Sequence, residues 1–553
     1  MPYEFLGKQV SGRFTIPSGI VTTAPSIIQR FIRDVPSVGV ITTKSIGLEA
    51  RAGYREPVYS QFAPGCFVNA VGLTNPGAQA SLEALGQLKV PADRFLLVSI
   101  FGGSIEEFVE VARLLEPVAD GFELNLSCPH AAGYGMAMGQ DPDMVYDIVA
   151  AVKKAVSLPV IPKLTPNVAD IASIGKAALR AGADGLCAIN TAGPGYTESH
   201  GAPVLSNGVG GMSGKGVLPT AMKAIRELRA ITDKPIIGCG GLSSAADVEA
   251  ALHSGASIVG IGSALSGMDT DDIARYFHCL EADLDESTAT AETLIRYDLS
   301  MDFRPVTVVA NDPVCDDITV ITCEESVNVQ AGEYVFIWIP GVGEKPFSCL
   351  TDSPLRFAVI DVGEFTHACY QLEPGSQMYI RGPYGTPVQP PDDATIICVA
   401  GGTGLAAVYQ IARDFGSKEK PAHIFAGART ADRLYFLEEC RDVATVTVAT
   451  DDGSAGFHGR VTEALADHLA SLSDEERASV WFYNCGPAPM IHAAEEVQRA
   501  AGLEHQIQSA IDYRTKCGVG ICGACAAPDG RRICIDGPFI TPEPSVVPGI
   551  TAG

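Results

Sequence analysis

The chain has 553 residues, 46% of them hydrophobic and 19% charged, which is long enough for three or four domains and is the composition of an ordinary globular protein. Its formal net charge of −26 at pH 7 disfavours nucleic acid and anionic membranes as partners, because both need a basic surface. The sequence has neither a secretion-signal pattern nor an apolar run of membrane-spanning length, so we expect an unanchored cytoplasmic protein.

Eight short apolar runs alternate with helical patterns through about the first 280 residues. The runs cover residues 18–23, 38–46, 95–101, 121–128, 159–164, 185–191, 235–242 and 258–265. Amphipathic stretches lie between them, for example residues 142–156, 168–181 and 245–254. Eight β/α units of this length predict a catalytic TIM (β/α)8 barrel over residues 1–285.

A different organisation follows a connector at residues 286–301. Residues 302–392 contain short alternating strands with Gly/Pro turns, which predict a small antiparallel β-barrel. Residues 393–506 return to strand, glycine turn and helix, the pattern of an α/β nucleotide-binding domain. Residues 507–553 form a last, cysteine-containing domain.

Polar residues follow several of the predicted barrel strands, where a TIM barrel carries its reactive groups. They are Lys44, the group Asn125 to Cys128, Lys163, and the pair Asn190 and Thr191. The last two strands end in glycine-rich turns at residues 238–241 and 262–263, whose bare N–H groups suit a phosphate. A phosphate site beside lysines predicts a mononucleotide, and FMN is the one that accepts hydride and releases single electrons.

Five segments of the barrel together resemble the dihydroorotate dehydrogenase family. They are TTKS (42–45), NAVGLTNPG (69–77), ELNLSCPH (123–130), KLTPNV (163–168) and INT (189–191). The resemblance implies that Lys44 and Lys163 contact the flavin and the developing charge. It also implies that Cys128 is the base that removes the C5 proton while the C6 hydride passes to the flavin.

The same resemblance implies a pyrimidine site and an FMN site. The pyrimidine-binding residues are Asn69, Asn125, His130, Asn190 and Thr191, and the FMN-binding residues include Gly214, Gly240, Gly241, Gly262 and Ser263. Amide side chains suit a pyrimidine because they donate and accept hydrogen bonds at once. A thiol of pKa near about 8.5 is a usable base, and the glycine-rich segment 129–139 is typical of a lid over it.

His130 departs from the common family pattern, in which an asparagine contacts the substrate. It is either a second proton-transfer group or a hydrogen-bond donor. The segments around it also resemble the pyrimidine-reducing domain of dihydropyrimidine dehydrogenases, which keeps reduction of uracil or thymine as an alternative. NAVGLTNPG favours orotate.

The C-terminal 250 residues resemble ferredoxin–NADP reductase modules, most closely the electron-transfer subunit of class 1B dihydroorotate dehydrogenases. KPFS (345–348) matches the flavin motif, with Lys345 in place of an arginine that would grip a pyrophosphate bidentately. GPYG (382–385) and Thr366 match the other flavin segments. The implied FAD-binding residues are Lys345, Phe347, Ser348, Thr366, Gly382 and Tyr384.

VAGGTG (399–404) opens a strand-to-helix turn of the kind that places dinucleotide phosphates on a helix N-terminus, and it is paired with NCGP (484–487). The implied NAD-binding residues are Gly401, Gly402, Thr403, Gly404, Cys485 and Gly486. Arg429 and Arg433 either read a 2′-phosphate or are surface charges, so NADP stays open, and the resemblance favours NAD.

Sixteen cysteines without a secretion signal indicate a reducing compartment. Cys517, Cys522, Cys525 and Cys534 have the spacing C-x4-C-x2-C-x8-C of a plant-type [2Fe–2S] cluster. The alternatives are a zinc site or disulfides, but zinc usually takes two separate C-x2-C pairs and only one is present. Cys187, Cys239 and Cys398 lie in apolar runs and are expected to be inert core residues.

The resemblance implies a fused class 1B-type enzyme that carries electrons from dihydroorotate through FMN, the cluster and FAD to NAD⁺ in pyrimidine biosynthesis. A fused chain would form a homodimer through its barrels. The first alternative is an NAD(P)H-driven reductase of uracil-like or other cyclic substrates, and the second is a catalytically silent electron-transfer or assembly module.

Overall fold

The computed structural model describes residues 3–126, 136–417, 419–511 and 514–542, which form two compact units. The first unit consists of the described residues up to Met301 together with Val519–Arg532. The second runs from Asp302 to Gly518 and resumes at Ile533. The loop Val519–Arg532 therefore belongs by its contacts to the first unit.

The strands of the first unit are short. They are β1 (Tyr3–Phe5), β2 (Lys8–Val10), β3 (Phe14–Thr15), β4 (Val40–Thr42), β5 (Tyr59–Ala63), β6 (Cys66–Asn69), β7 (Phe95–Ile100), β8 (Gly121–Asn125), β9 (Val160–Leu164), β10 (Leu186–Ala188), β11 (Ala192–Gly195), β12 (Glu198–Ser199), β13 (Ala202–Pro203), β14 (Gly210–Gly214), β15 (Ile236–Cys239) and β16 (Ile258–Gly260).

The helices of the first unit alternate with those strands. They are α1 (Pro25–Asp34), α2 (Ala78–Leu85), α3 (Ile105–Leu115), α4 (Met136–Gln140), α5 (Pro142–Ala155), α6 (Ile171–Arg180), α7 (Leu218–Arg229), α8 (Ala245–His253) and α9 (Thr270–Glu286).

Eight parallel strands close into a barrel in the order β3, β4, β7, β8, β9, β10, β15 and β16, which confirms the predicted TIM barrel. Short polar caps set where the outer helices begin. Asp170 accepts hydrogen bonds from Ala172 N and Ser173 N, so α6 starts three residues later than the predicted 168–181 stretch. Ser244 and Asp247 form a capping box at α8.

The first barrel strand is not where the apolar run 18–23 placed it. The strand is β3, which pairs with β16 and β4. Pro17 lacks the N–H that a continued ladder requires, and Val21 has a φ of 46°, in the left-handed region. Residues 18–23 therefore form a loop at the C-terminal end of the strand.

A second sheet in this unit contributes residues to the same end of the barrel. Its four antiparallel strands have the order β11, β14, β6 and β5. Asn69 ends β6 and lies opposite Gly211 of β14. The apolar runs of the sequence do not predict this sheet.

The strands of the second unit begin at Arg304. They are β17 (Arg304–Cys315), β18 (Ile318–Cys323), β19 (Tyr334–Ile339), β20 (Gly343–Ser348), β21 (Thr351–Asp352), β22 (Leu355–Ile360), β23 (Gln377–Tyr384), β24 (Thr395–Gly401), β25 (Ala422–Ala428), β26 (Ala444–Thr450), β27 (Phe457–His458), β28 (Val480–Cys485) and β29 (Ile507–Ala510). Its helices are α10 (Glu364–Tyr370), α11 (Gly404–Phe415), α12 (Leu437–Val443), α13 (Val461–Ser471), α14 (Asp474–Ser479), α15 (Ala488–Ala500) and α16 (Ile533–Asp536).

Two sheets organise the second unit, as the strand patterns predicted. Seven antiparallel strands have the order β20, β19, β23, β17, β18, β22 and β21. Six parallel strands have the order β27, β26, β25, β24, β28 and β29. The chain order reverses between β24 and β28, and such a reversal is where open α/β sheets bind ligands.

Across the residues that the structure describes, every helix is too short or too polar to cross a bilayer.

Candidate active site

One cavity lies at the C-terminal end of the barrel strands, with about 1140 Å³ of empty space that is partly open to solvent. Every predicted barrel residue within the described ranges lines it. They are Lys44, Asn69, Asn125, Lys163, Asn190, Thr191, Gly214, Gly240, Gly241, Gly262 and Ser263. The roles of these residues remain predictions, but the structure does bring all of them to one site.

Two predicted residues, Cys128 and His130, lie outside the described residues. The predicted lid 129–139 overlaps the described chain only from residue 136, where α4 begins. The roles of the thiol and the imidazole therefore rest on the sequence.

A chain of hydrogen bonds connects the cavity wall to the barrel interior. Asn190 Nδ2 donates to Asn125 Oδ1 at 3.1 Å, and Asn125 Nδ2 donates to Ser45 Oγ at 2.9 Å. Ser45 Oγ lies 2.9 Å from Ser99 Oγ, which donates to Glu123 Oε1 at 2.9 Å. Two of the three asparagines expected to bind a pyrimidine, Asn125 and Asn190, are thus connected through two hydroxyls to a buried acid.

Lys163 forms the other contact of that acid. Its Nζ lies 3.7 Å from Glu123 Oε1, and the two side chains are 5% and 2% exposed. Burial lowers the pKa of Lys163, but the Glu123 carboxylate more than offsets this and holds the pKa above its ordinary value. The cavity therefore contains a permanent cation at neutral pH, suited to a negatively charged flavin or substrate group.

The thiols of Cys187 and Cys239 lie beside this ion pair, and Cys239 also lines the cavity. Hydrogen bonding to Cys239, burial and the nearby Glu123 carboxylate raise the pKa of Cys187 well above its usual value. Cys239 Sγ donates to the Ile189 carbonyl at 3.3 Å. Both cysteines are buried, as expected, and Cys239 is also part of the cavity wall.

The glycine turns at the end of the barrel differ in the free space beside each glycine. A Cβ on Gly241 would lie 2.5 Å from the Gly214 carbonyl oxygen, so these two turns pack backbone against backbone. A Cβ on Gly262 would meet nothing nearer than 3.6 Å. Open glycine backbone with a lysine cation in one cavity fits a phosphate-bearing mononucleotide such as FMN.

The cysteine loop contains buried thiols. Cys517, Cys522, Cys525 and Cys534 are all buried. Among the described residues, no three His, Cys, Asp or Glu side chains are grouped as ligands of a single metal ion. A [2Fe–2S] cluster is a different arrangement, since each of its two irons takes two of the four thiolates.

The part of this loop that belongs to the first unit is hydrogen-bonded to loops at the cavity end of the barrel. Val21 N donates to the Ile521 carbonyl at 2.7 Å, and Thr23 Oγ1 donates to the Cys522 carbonyl at 3.0 Å. Gly267 N donates to Val519 at 2.9 Å. Val21 directly follows the cavity-lining residues 17–20, so the carbonyl of one predicted cluster ligand lies just behind the cavity wall.

In the second unit, the two predicted FAD segments lie on either side of one strand. Ser348 of β20 and Tyr384 of β23 both pair with Tyr334 of β19. Thr366 Oγ1 instead accepts hydrogen bonds from Val362 N and Gly363 N at the start of α10. The structure thus brings the KPFS and GPYG segments together.

A buried arginine lies next to the GPYG segment. Arg381 binds Glu344 through two hydrogen bonds of 2.6 and 2.8 Å, with both side chains 1% exposed. Its Nη1 donates to the Cys517 carbonyl at 2.8 Å, and its guanidinium stacks 3.9 Å from the Phe336 ring. This arginine fixes the backbone of a predicted cluster ligand.

The two glycine motifs of the parallel sheet also meet. GGTG follows β24 and CG follows β28, at the point where the strand order reverses. A Cβ on Gly404 would lie 2.2 Å from the Cys485 carbonyl oxygen. Arg433 pairs with Asp317 at 2.8 Å, so one of the two arginines considered for a 2′-phosphate has an acidic partner.

Comparisons with known proteins agree with this geometry. A family model described as dihydroorotate dehydrogenase matches residues 2–279. A catalytic subunit of dihydroorotate dehydrogenase B (NAD⁺) from Pyrococcus horikoshii is 46% identical over 263 residues, which is 47% of this chain and 85% of that protein. The corresponding subunit from Methanocaldococcus jannaschii is 40% identical over 284 residues, 51% of this chain and 92% of that protein.

The chain belongs to the dihydroorotate dehydrogenase family. Two further family models match segments of the C-terminal half. An oxidoreductase NAD-binding domain covers residues 398–496, and the iron–sulfur cluster binding domain of dihydroorotate dehydrogenase B covers residues 513–543. The family's catalytic barrel is therefore fused in this chain to NAD-binding and iron–sulfur domains.

Sequence reasoning missed three residues of the dehydrogenase site, namely Glu123, Ser99 and Ser45. Glu123 and Ser45 stand inside the family segments quoted above, and Ser99 stands in a barrel strand. The signal that could have found Glu123 is an acidic residue inside an otherwise apolar strand, because an unpaired carboxylate is almost never fully buried.

Proposed function

We propose that this chain oxidises dihydroorotate to orotate at FMN in the barrel and passes the electrons through a [2Fe–2S] cluster and FAD to NAD⁺. The observation that carries the proposal is the single cavity that gathers two lysines, three asparagines and open glycine turns at the barrel's C-terminal end. The family supports the reaction, and the fused domains support the acceptor.

The reaction removes a proton from C5 of dihydroorotate and a hydride from C6, leaving the C5=C6 double bond of orotate. Cys128 takes the proton as general base. Asn69, Asn125 and Asn190 hold the ring's carbonyl and N–H groups, and Lys44 and Lys163 balance the negative charge that develops. FMN supplies the hydride acceptor when bound.

The electron exit depends on the second unit. We assign FAD to the KPFS and GPYG segments, with Lys345 as a point charge on its pyrophosphate. NAD⁺ is assigned to the C-terminal ends of β24 and β28, where the GGTG and NCGP turns meet. NAD is preferred over NADP because Arg433 already has an acidic partner in Asp317. We assign the four cysteines to the cluster, and a homodimer through the barrels to the assembly.

The experiment is an anaerobic substrate screen on the purified, cofactor-loaded chain. Dihydroorotate is expected to bleach the flavin absorbance, and iron and flavin analysis is expected to give one [2Fe–2S] cluster, FMN and FAD per chain. Bleaching by dihydrouracil but not by dihydroorotate would overturn the proposal in favour of the uracil-type reductase.

A further inference from the structure

Glu123 is an acid inside the barrel for which the reaction above gives no role. It lies in β8, directly opposite Ser99 of β7. Its side chain is 2% exposed, and it contacts Lys163 on one side and Ser99 on the other. Burying a carboxylate is costly unless it is paired, so its two contacts indicate what it does.

The carboxylate sets the direction of the hydrogen-bond chain. An ionised carboxylate only accepts, so Ser99 must use its single hydroxyl proton on Glu123. In the contact between Ser99 and Ser45, Ser99 can then only accept, and Ser45 must donate. Ser45 has no proton left, so its other two neighbours, Ser18 and Asn125, must both donate to it.

That direction reaches the substrate amides. Asn125 turns its NH₂ toward Ser45, so its carbonyl oxygen faces Asn190 and accepts from Asn190 Nδ2 at 3.1 Å. The carbonyl oxygen of Asn190 in turn accepts from Thr191 N at 2.8 Å. A flipped Asn125 would set its oxygen against a hydroxyl without a proton to give. The orientation of both amides therefore follows from one buried acid.

Glu123 also forms an ion pair, which is separate from its hydrogen bond to Ser99. Glu123 lies 3.7 Å from Lys163, whose ammonium lines the cavity. The carboxylate keeps a charged lysine inside a site that would otherwise disfavour it. The Glu123 side chain thus orients the neutral amides of Asn125 and Asn190 and also pairs with the cationic Lys163.

We propose that Glu123 is a positioning residue, whose carboxylate orients the Asn125 and Asn190 amides through Ser99 and Ser45 and holds Lys163 as a cation. This inference rests on the proposed function, because it assumes that these amides bind the pyrimidine.

The experiment measures orotate binding to the cofactor-loaded chain by the change it causes in the flavin spectrum. Glu123→Gln keeps the shape but can donate as well as accept, so the direction of the chain is no longer enforced. Ser99→Ala cuts the chain and leaves the ion pair. Glu227→Gln is the matched control, since Glu227 pairs with Lys223 on the exposed face of α7 at 2.7 Å.

Glu123→Gln is expected to weaken orotate binding about tenfold, because it removes the charge that enforces the direction of the chain and pairs with Lys163. Ser99→Ala is expected to weaken it about three- to tenfold, because it removes the hydrogen bond to the carboxylate. The control is expected to leave binding unchanged. The double variant is expected to bind no more weakly than Glu123→Gln, since both changes break one chain. KM for dihydroorotate should rise with the orotate dissociation constant.

Wild-type-like orotate binding in both variants would overturn the inference, and so would fully additive effects in the double variant. If Glu123→Gln does not retain FMN, Ser99→Ala alone decides, and unchanged orotate binding by it would also overturn the inference. Failure of the unmodified chain to bind orotate would instead reject the proposed function.

Discussion

The two parallel β-structures of this chain present their strand ends in opposite ways. The barrel end is lined largely by side chains, with lysines, asparagines and an acid-linked hydroxyl chain around an open cavity. The sheet of the second unit presents glycine turns packed against each other, with Gly404 touching Cys485 and Gly486 touching Gly401. The barrel is built for chemistry by side chains, and the sheet for recognition by backbone.

Single glycines differ within each region, since a Cβ on Gly241 of the barrel would meet a carbonyl oxygen at 2.5 Å and one on Gly402 of the sheet would meet only a methyl carbon at 3.9 Å. Gly262 in the barrel has free space where a Cβ would be, whereas Gly404 in the sheet has a carbonyl oxygen there. Open space beside a glycine favours a ligand, and contact beside a glycine favours a structural role.

The largest expected effect comes from removing the barrel's proposed base. Cys128→Ser should slow flavin bleaching by dihydroorotate about 10²- to 10⁴-fold, the usual contribution of a general base. NADH oxidation by an artificial electron acceptor, which uses only the second unit, should be unchanged. Rapid-mixing absorbance measures the first and a steady-state assay the second. Full dihydroorotate turnover in the variant would show that a group other than Cys128 is the base.

Gly404→Ala should have the opposite effect, because it should impair the reaction with NAD⁺ and leave the reaction with dihydroorotate unchanged. The added Cβ would lie 2.2 Å from the Cys485 carbonyl oxygen, so the two turns must separate. We expect NAD⁺ reduction to fall about ten- to a hundredfold, the cost of an overpacked site. Flavin bleaching by dihydroorotate should persist. Its loss would mean that the dihydroorotate and NAD⁺ reactions do not depend on separate units.

Gly262→Ala tests the open glycine. The nearest protein atom to its Cβ would be 3.6 Å away, but the φ of −126° and ψ of −87° lie outside the main allowed regions for alanine, so the melting temperature of the variant is measured as well. If the FMN phosphate approaches this backbone, FMN affinity should fall about tenfold, measured by flavin release on dilution. Unchanged FMN affinity with an unchanged melting temperature would place the phosphate elsewhere.

A fall in pH is expected to destabilise the second unit and to leave the charge of Lys163 in the barrel unchanged. This effect is smaller than those of the substitutions. Burial lowers the pKa of His423 from 6.5 to about 4, and the facing His468, whose pKa is also lowered by burial, lies 4.7 Å away. A lowered histidine pKa means stability that is present above pH 6.5 and is lost as the pH falls toward 4. The raised pKa of Lys163 keeps that lysine charged throughout this range.

We therefore expect the free energy of unfolding of the second unit to fall by on the order of 1 kcal/mol between pH 7 and 5. The effect is no larger because solvent screens the partly exposed His423 ring. Trp338 and Trp481 both lie in the second unit, so tryptophan fluorescence during heating follows that unit alone. His423→Gln keeps a partner for Thr447 and does not titrate. The same acid sensitivity in that variant would contradict the assignment.

Much of the barrel site followed from the sequence because parallel strands bring the ends of distant runs to one rim. Lys44, Asn125, Lys163 and Asn190 could be collected into one cavity on that ground alone. The first strand could not be placed in this way, since β3 has only two residues and the longer run 18–23 after it follows Pro17 and contains a left-handed Val21.

The remaining features depend on contacts that no local pattern records. The hydroxyl chain from Glu123 joins residues of different strands, so its direction emerges only when the barrel closes. The hydrogen bonds from Val21 and Thr23 to Ile521 and Cys522 connect residues about 500 positions apart. The spacing of the cysteines predicts a cluster, but not that part of its loop belongs with the barrel.

The most direct test of the central claim is the stoichiometry of one anaerobic reaction. Oxidised, cofactor-loaded chain is mixed with a small excess of dihydroorotate and then with NAD⁺, and orotate and NADH are quantified together. The account predicts flavin bleaching by dihydroorotate, recovery of absorbance on adding NAD⁺, and about one NADH per orotate, since each conversion moves one hydride equivalent. Flavin that dihydroorotate cannot bleach, or bleached flavin that NAD⁺ cannot reoxidise, would contradict it.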